Sequence, residues 1–537
     1  MNPLNVNDLA TVQNYHHRTK HSFDAYARGP GYLDWDNQPD PFRRFEGAEV
    51  TPLALGADSH PVPYVDLFRS QAVTPVALTL ESLGTLLQLS FGLSAWKASE
   101  GSQWALRCNP SSGNLHPTEV YVVVGHAHSS IKPGVYHYLP HEHALELRCR
   151  ANLPIRGWLL GLSSIHWREA WKYGERAFRY CQHDIGHALG ALRMAAGVLG
   201  WRLKLLDEWG DRDIERLLGL DRPEDFAGAE QEFPELLCQI ELATPETIGI
   251  DTLLDAIDQG GWEGRANRLS RNHAHAWEVI GEVQKATDKP RTSPGSGFLP
   301  TRLERRLPVS NAMASEIILQ RRSAQAFDGV TEIPAKTLWT LLEATLPSRD
   351  HPPFDIWPWR PQVHLVLFVH RVVGLAPGLY IFLRNDDASE TLKPYMRPEF
   401  HWESIEGAPR HLRVFRLLKA NCQKAARTLS CHQSIASDGA FSVGMVAAFD
   451  ETLSEGPWRY RRLFWECGLI GQTLYLEAEL AGVRGTGIGC FFDDAVHELL
   501  GFSGTHYQSI YHFTVGSPVE DSRLQTLPPY AHLAMRV

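Results

Sequence analysis

Residues 179–202 read RYCQHDIGHALGALRMAAGVLGWR, and residues 461–484 read RRLFWECGLIGQTLYLEAELAGVR. Set side by side without a gap, Arg179, Asp184, Gly186, Leu192, Ala196, Gly200 and Arg202 fall on Arg461, Glu466, Gly468, Leu474, Ala478, Gly482 and Arg484. The same register carries on to Asp211, Leu217, Leu218 and Gly219, which fall on Asp493, Leu499, Leu500 and Gly501. Upstream, Pro133-Gly134-Val135-Tyr136 is echoed by Pro377-Gly378-Leu379-Tyr380, at a different offset because the loops differ in length. Such self-similarity is the mark of a repeated unit. Each half reads strand, hairpin, long helix, turn, short helix, strand, which is an α+β unit present twice. A tandem duplication of a dimer-forming domain predicts a pseudo-twofold intramolecular dimer in a monomeric chain.

The bulk composition agrees with two domains. The chain has 537 residues, 43% of them hydrophobic, enough for more than one core. A formal net charge of -10 argues against nucleic acid as a partner and leaves a small molecule as the expected one. Eight cysteines without any C-x-x-C pair fit free thiols in a reducing cytosol. The first residues lack a leader pattern and no apolar run reaches about 18 residues, so the expectation is a cytoplasmic protein without membrane contact.

Along the chain, residues 1–50 read as an N-terminal arm rich in His, Arg and aromatic residues, and 51–260 as the first domain. The Pro-, Gly- and Ser-rich stretch from Asp288 to Asn311 marks a linker within a linker region at 261–308, and 309–537 forms the second domain. Leu78, Leu80, Leu83, Leu86, Leu87 and Leu89 predict a helix within 78–96 that begins near Thr79 or Glu81. Residues 118–124, TEVYVVV, predict a buried strand.

Three constellations carry chemistry. Arg321, Arg322 and Ser323 close a helix for which Ser310 or Asn311 is the expected N-cap; two guanidiniums and a hydroxyl suit a phosphate. Arg484-Gly485-Thr486-Gly487-Ile488-Gly489-Cys490 is glycine-rich, but its third glycine is misplaced for a dinucleotide fingerprint and a helix precedes it. Either a plain turn or close approach of the backbone to a flat ligand remains. The third is Asn109-Pro110-Ser111-Ser112-Gly113-Asn114-Leu115-His116-Pro117, an over-decorated turn directly before a strand. His16, His17 and His21 stand without a partner at ligand spacing, so no metal is expected. Asp184 and Glu466 are expected to pair with arginines inside their own halves, and Trp357-Pro358-Trp359-Arg360-Pro361 to be a packed loop or a lid.

The 107–117 stretch resembles the flavin loop of the nitroreductase superfamily, in its SagB/ThcOx-type branch of peptide azoline oxidases. Trp171-Lys172-Tyr173-Gly174-Glu175-Arg176, with Asp184 and His187, resembles a second block of that branch, and Arg321-Arg322-Ser323 resembles the superfamily's phosphate motif. The resemblance implies FMN held by Pro110, Ser111, Ser112 and Asn114 from the first half, and by Arg321, Arg322, Ser323, Ile488 and Gly489 from the second. The mirror site would need residues 18–22 and 346–352, which lack the Asn and carry Arg349 and Asp350; one FMN per chain is therefore expected. The resemblance further implies Lys172 and Tyr173 as the catalytic pair, in an oxidation of azoline-type heterocycles by proton abstraction and hydride transfer to flavin N5. Both groups ordinarily titrate near roughly 10, so one must be shifted to act near neutrality. The substrate would be a modified peptide or a related small molecule, with biosynthetic partner proteins. The alternatives are an NAD(P)H-dependent nitro or quinone reductase and a non-catalytic peptide-binding scaffold.

Overall fold

The computed structural model describes residues 6–534, apart from 126–130, 242–243, 245, 294–297, 299, 301–304 and 306. Part of the expected linker therefore lies outside the described residues. Each half is built on an antiparallel sheet of the same strand order. In the first, the strands run Ala144–Arg150, Gly134–Leu139, Thr118–Val124, Trp158–Ser164, Phe233–Ile240 and Leu203–Leu205. In the second they run Arg413–Lys419, Gly378–Leu383, Val363–Val369, Phe441–Ala448, Tyr507–Gly516 and Arg484–Ile488. The chain is thus α+β, two tandem units in which the repeat seen in sequence is a repeat of topology.

The pseudo-twofold axis passes between the long helices Ala177–Val198 and Arg459–Leu480. Their glycines set the separation. A Cβ on Gly186 would lie 2.2 Å from the Trp465 carbonyl oxygen and 2.8 Å from Gly468 Cα, while one on Gly468 would lie 2.2 Å from the His183 oxygen and 2.8 Å from Gly186 Cα. Buried ion pairs repeat the same symmetry. Arg179 reaches Asp493 of the other half at 2.8 Å, and its counterpart Arg461 reaches Asp211 at 2.5 Å. Near the two units' entries, residues 62–64 and 312–314 exchange backbone bonds, Tyr64 N to Ala312 O at 2.9 Å and Ala314 N to Val62 O at 2.8 Å.

Several local expectations shift. The first-half helix runs Leu80–Ser90, with Thr79 as N-cap in a box with Ser82, and stops short of 96 because Leu93–Ser99 turns into a strand. The helix before the double arginine is Ala314–Gln320 with Met313 at its N-cap, not Ser310 or Asn311; Glu316 accepts the Met313 N–H at 3.1 Å. Arg321 thus lies just past the last turn. Within 261–308, Gly261–Trp262 and Arg265–Ala266 pair with strands of the first half, and Glu278–Ala286 is a helix against the arm helix Val6–Arg18. That region is structured as part of the first unit up to the helix. The arm bridges both halves: Tyr15 Oη donates to the Glu175 carbonyl at 2.7 Å, and His16 meets Tyr460 Oη at 3.1 Å and Gln508 Oε1 at 3.2 Å. Finally, Gln525–Leu527 crosses back to pair with the first-half hairpin Leu93–Ser99 and Ser102–Arg107.

Candidate active site between the two halves

A cavity of about 420 Å³ lies between the halves, within the range of small-molecule sites, and is lined by Pro110, Ser111, Ser112, Gly113, Asn114, Arg321, Arg322, Ser323, Ile488 and Gly489 among others. Every residue expected to hold the cofactor borders this one space. The reason lies in the backbone. Residues 111–116 form a tight turn in which Gly113 (φ 60°), Asn114 (φ 59°) and His116 (φ 51°) all take left-handed conformations. The Asn114 amide donates to Ala105 O at 2.9 Å and its oxygen meets His116 Nε2 at 3.0 Å, so this side chain locks the turn. Ser111 Oγ accepts the His116 N–H at 2.8 Å.

At one end of the cavity the charge is positive. Arg321 is buried, and its guanidinium donates only to main-chain oxygens, Cys108 O at 3.2 Å and Arg107 O at 3.1 Å. Arg322 donates to Leu319 O, Arg321 O and Ser94 O. Among the described residues neither forms an ion pair with a carboxylate. Burial lowers both from the usual arginine value, Arg322 to about 10. Arg107 and Lys97 line the same space, and Arg107 Nε and Asn109 Oδ1 are buried without a hydrogen-bond partner. Unpaired cations, with the orphaned Arg107 Nε–H among them, are what a bound anion such as a phosphate would satisfy. The residues present therefore fit an FMN phosphate.

The floor is made of the glycine-bearing segment, which is a strand, Arg484–Ile488, rather than a bare turn. A Cβ on Gly487 would lie 2.0 Å from Tyr511 Oη, and one on Gly489 2.0 Å from the Tyr180 ring, so both positions exclude side chains. Ser323 Oγ and Gly487 N both bond Tyr475 Oη, at 2.8 and 2.9 Å.

Lys172 and Tyr173 end the helix His166–Tyr173 beside Gly113, where a Cβ would lie 2.6 Å from Tyr173 Oη and 3.1 Å from Lys172 Nζ. Tyr173 lines the cavity. Burial, with Glu169 nearby, pushes its phenol well above the usual value. This is opposite to the shift expected of a neutral-pH base, and it keeps Tyr173 a hydroxyl donor. Behind the turn stand two carboxyl groups, Asp184 and Glu169, of which sequence singled out only Asp184. Asp184 does not pair with an arginine of its half; it accepts from Ser112 N at 3.2 Å and Ser112 Oγ at 3.4 Å, and burial pushes it up to about 7. Glu169 is likewise raised well above the usual carboxyl value, by burial and by Asp184. By contrast, Glu466 does pair within its half, with Arg384. Nothing in the spacing of Asp184 distinguishes a loop anchor from an ion pair.

The counterpart space in the second half differs from the expected mirror site. Residues 18–22 are not there: Arg18 bonds Glu175 at 2.7 Å, Lys20 reaches Asp494 at 2.8 Å, and His21 N donates to Asp493 at 3.0 Å, beside the main cavity. Residues 346–348, 351 and 352 border a separate, small pocket with Arg305 and Glu343. It is Gln362 N that donates to Glu466 at 3.0 Å, as Ser112 N does to Asp184. The tryptophan run before it packs inward, with Arg462 3.8 Å over the Trp359 ring. Among the described residues, no group of three or more His, Cys, Asp or Glu is placed to hold a metal ion, and no helix is long and apolar enough to cross a membrane.

Comparison with known proteins bears on this architecture. A family model described as the nitroreductase family matches residues 318–517. The trifolitoxin-processing protein TfxB of Rhizobium leguminosarum bv. trifolii is 32% identical over 130 residues, 21% of this chain and 35% of that protein, so the chain spans about a third of that relative's length. A protein of Methanocaldococcus jannaschii named as a nitroreductase is 26% identical over 159 residues, 26% of this chain and 74% of its own. The crystal structure of a nitroreductase-fold protein from Anabaena variabilis superposes over 95% of this chain and 99% of its own, with a TM-score of 0.68 at 22% identity. Residues 318–517 thus carry the match to the nitroreductase family, and the chain as a whole shares the fold of the Anabaena protein.

Proposed function

We propose that the cavity between the halves binds one FMN per chain and that the protein oxidises azoline-type heterocycles in a modified peptide or a related small substrate. The observation that carries this reading is the asymmetry of the two counterpart spaces. One joins the 110–114 turn, the double arginine and the glycine strand around unpaired cations. In the other, Arg360 and Arg459 are paired to Asp387 and Glu455, Arg462 is stacked on the Trp359 ring, and Trp357 and Trp359 take up the wall. When bound, FMN supplies the two-electron acceptor; the protein supplies binding, orientation and proton movement.

Arg321, Arg322 and Ser323 hold the phosphate end, and Pro110, Ser111, Ser112, Asn114, Ile488 and Gly489 line the remainder. At the reacting end, Lys172 Nζ is the group that takes the substrate proton, since Tyr173 is held as a phenol. Tyr173 Oη donates a hydrogen bond to the substrate, and its position against Gly113 sets the reach of both groups. The resemblance of the 171–187 block to azoline oxidases, and a relative whose name records processing of trifolitoxin, support a peptide-derived substrate and biosynthetic partners.

The test is a flavin count on purified protein, followed by turnover of an azoline-containing peptide. One FMN per chain is expected, and Lys172→Ala should retain the flavin while losing at least 100-fold in turnover, the scale of general acid–base catalysis. Protein that carries no flavin and gains none from added FMN would refute the reading. Rapid bleaching by NAD(P)H with no peptide turnover would replace azoline oxidation by a nitro or quinone reductase.

A further inference from the structure

Two of the eight cysteines differ from the rest. Cys108, Cys149, Cys181, Cys238, Cys422 and Cys467 are buried, whereas Cys431 and Cys490 are only partly so. They are 59 positions apart in sequence and adjacent in space. The backbone explains why: Phe492 N donates to Leu429 O at 2.8 Å, and two residues inward from each end of that bond stand Cys490 and Cys431. Gln433 Nε2 fixes the same crossing by donating to Cys490 O at 3.2 Å. Cys431 and His432 sit in left-handed backbone, φ 52° and 61°, conformations that β-carbon-bearing residues adopt at a cost. Cys490 directly follows Gly489 and lines the main cavity.

The surroundings of Cys490 favour a thiolate. The Cys431 thiol hydrogen-bonds to it. His21 Nδ1 accepts the Ala27 N–H at 2.9 Å, so in the neutral ring the proton sits on Nε2, which faces Cys490. Arg176 donates to the adjoining Gly489 O at 3.2 Å, and Tyr26, Tyr173, Tyr180 and Asp493 are further titratable neighbours. The hydrogen bond from Cys431 is the largest of the causes that draw Cys490 down to about 5, and Cys431 is raised in turn.

The geometry points to a second redox centre: Cys431 and Cys490 form a dithiol pair at the wall of the cavity that exchanges two electrons with small disulfides. With oxidised glutathione the Cys490 thiolate attacks one sulfur, the glutathione S–S bond breaks, and one glutathione leaves as a thiolate that takes up a proton. Cys431, whose proton is released to solvent, then attacks the Cys490 sulfur and expels the second glutathione, which is protonated in turn. The protein's two thiols are oxidised to one disulfide while one disulfide is reduced to two thiols. This centre needs neither FMN nor an azoline, so it stands or falls apart from the proposed oxidation.

The test uses the full-length protein as purified, equilibrated in reduced and oxidised glutathione at graded ratios, then acid-quenched, alkylated and peptide-mapped. A Cys431–Cys490 cross-linked peptide is expected, with six thiols still free. In the reduced protein, alkylation of Cys490 by iodoacetamide should stay within about two-fold between pH 8 and pH 6, whereas an ordinary thiol slows by roughly ten-fold per pH unit below its pKa. Cys431→Ser should stop at a glutathione adduct on Cys490, and Cys490→Ser should lose the pH-insensitive reaction. Failure to form the cross-link even in fully oxidised glutathione, or an ordinary pH dependence for Cys490, would overturn the proposal.

Discussion

Asp184 shows how much one residue's surroundings decide. Its ordinary carboxyl value lies near 3.8, and in the fold burial raises it to about 7. A carboxyl whose pKa is raised by folding stabilises the native state only at low pH, and the contribution is lost as pH climbs from the unfolded toward the folded value. Asp184→Asn removes the titration while keeping a group that accepts from Ser112. The variant should therefore gain on the wild type by about 2–3 kcal/mol between pH 5 and pH 8, read as a difference in urea midpoints. A gap that does not change with pH would mean that the carboxyl is already ionised in the fold. The side chains with motifs around it, Ser111, Ser112 and Asn114, were legible because their turn chemistry is local. Glu169 was not, because its burial and its neighbour Asp184 are settled only when helix His166–Tyr173 packs behind the turn.

Among the elements, the crossing of the two long helices rests on Gly186 and Gly468. Alanine usually stabilises a helix relative to glycine by up to about 1 kcal/mol, and at Gly281, where an added Cβ meets nothing within 4 Å, Gly281→Ala should do so. Gly468→Ala should do the reverse. Its Cβ falls on backbone atoms of the partner helix that no rotamer can move, so a loss of about 1–3 kcal/mol is expected in thermal unfolding. Sequence displayed the two glycines in register and the repeat of an α+β unit, because helix contacts repeat with the residues that make them. It misplaced the mirror elements for a physical reason. Residues 346–352 share only Pro-Ser with the 110–114 turn, and the position next to Glu466 is set by where strand Val363–Val369 begins, which puts Gln362 there. Strand Gln525–Leu527 left no signal either, since its partner lies in the other half.

For the whole molecule, the two crossed ion pairs are related by symmetry but not in consequence. Asp493 accepts from Arg176 and Arg179, and Arg176 also holds Gly489 O at the cavity. Asp211 serves Arg461 at the opposite end. Removing one member of a buried pair leaves a charge without compensation and costs about 3–5 kcal/mol. Asp493→Asn and Asp211→Asn should therefore lower the melting temperature alike. Only Asp493→Asn should also release flavin on gel filtration, measured by absorbance of the protein peak; equal flavin loss from both would show that the interface, not the cavity wall, controls retention.

The crossing of Gln525–Leu527 onto the first-half hairpin has a consequence for biosynthesis. The cavity wall includes Lys97 and Trp104 from that hairpin and Leu524 from the segment that returns to it. Residues made more than four hundred positions apart must meet before the wall is closed. While the ribosome is still working through the second half, the first-half turn is already present but faces an open side. Ligand capture is therefore a late event in the life of each chain, and nascent chains halted before this return remain empty.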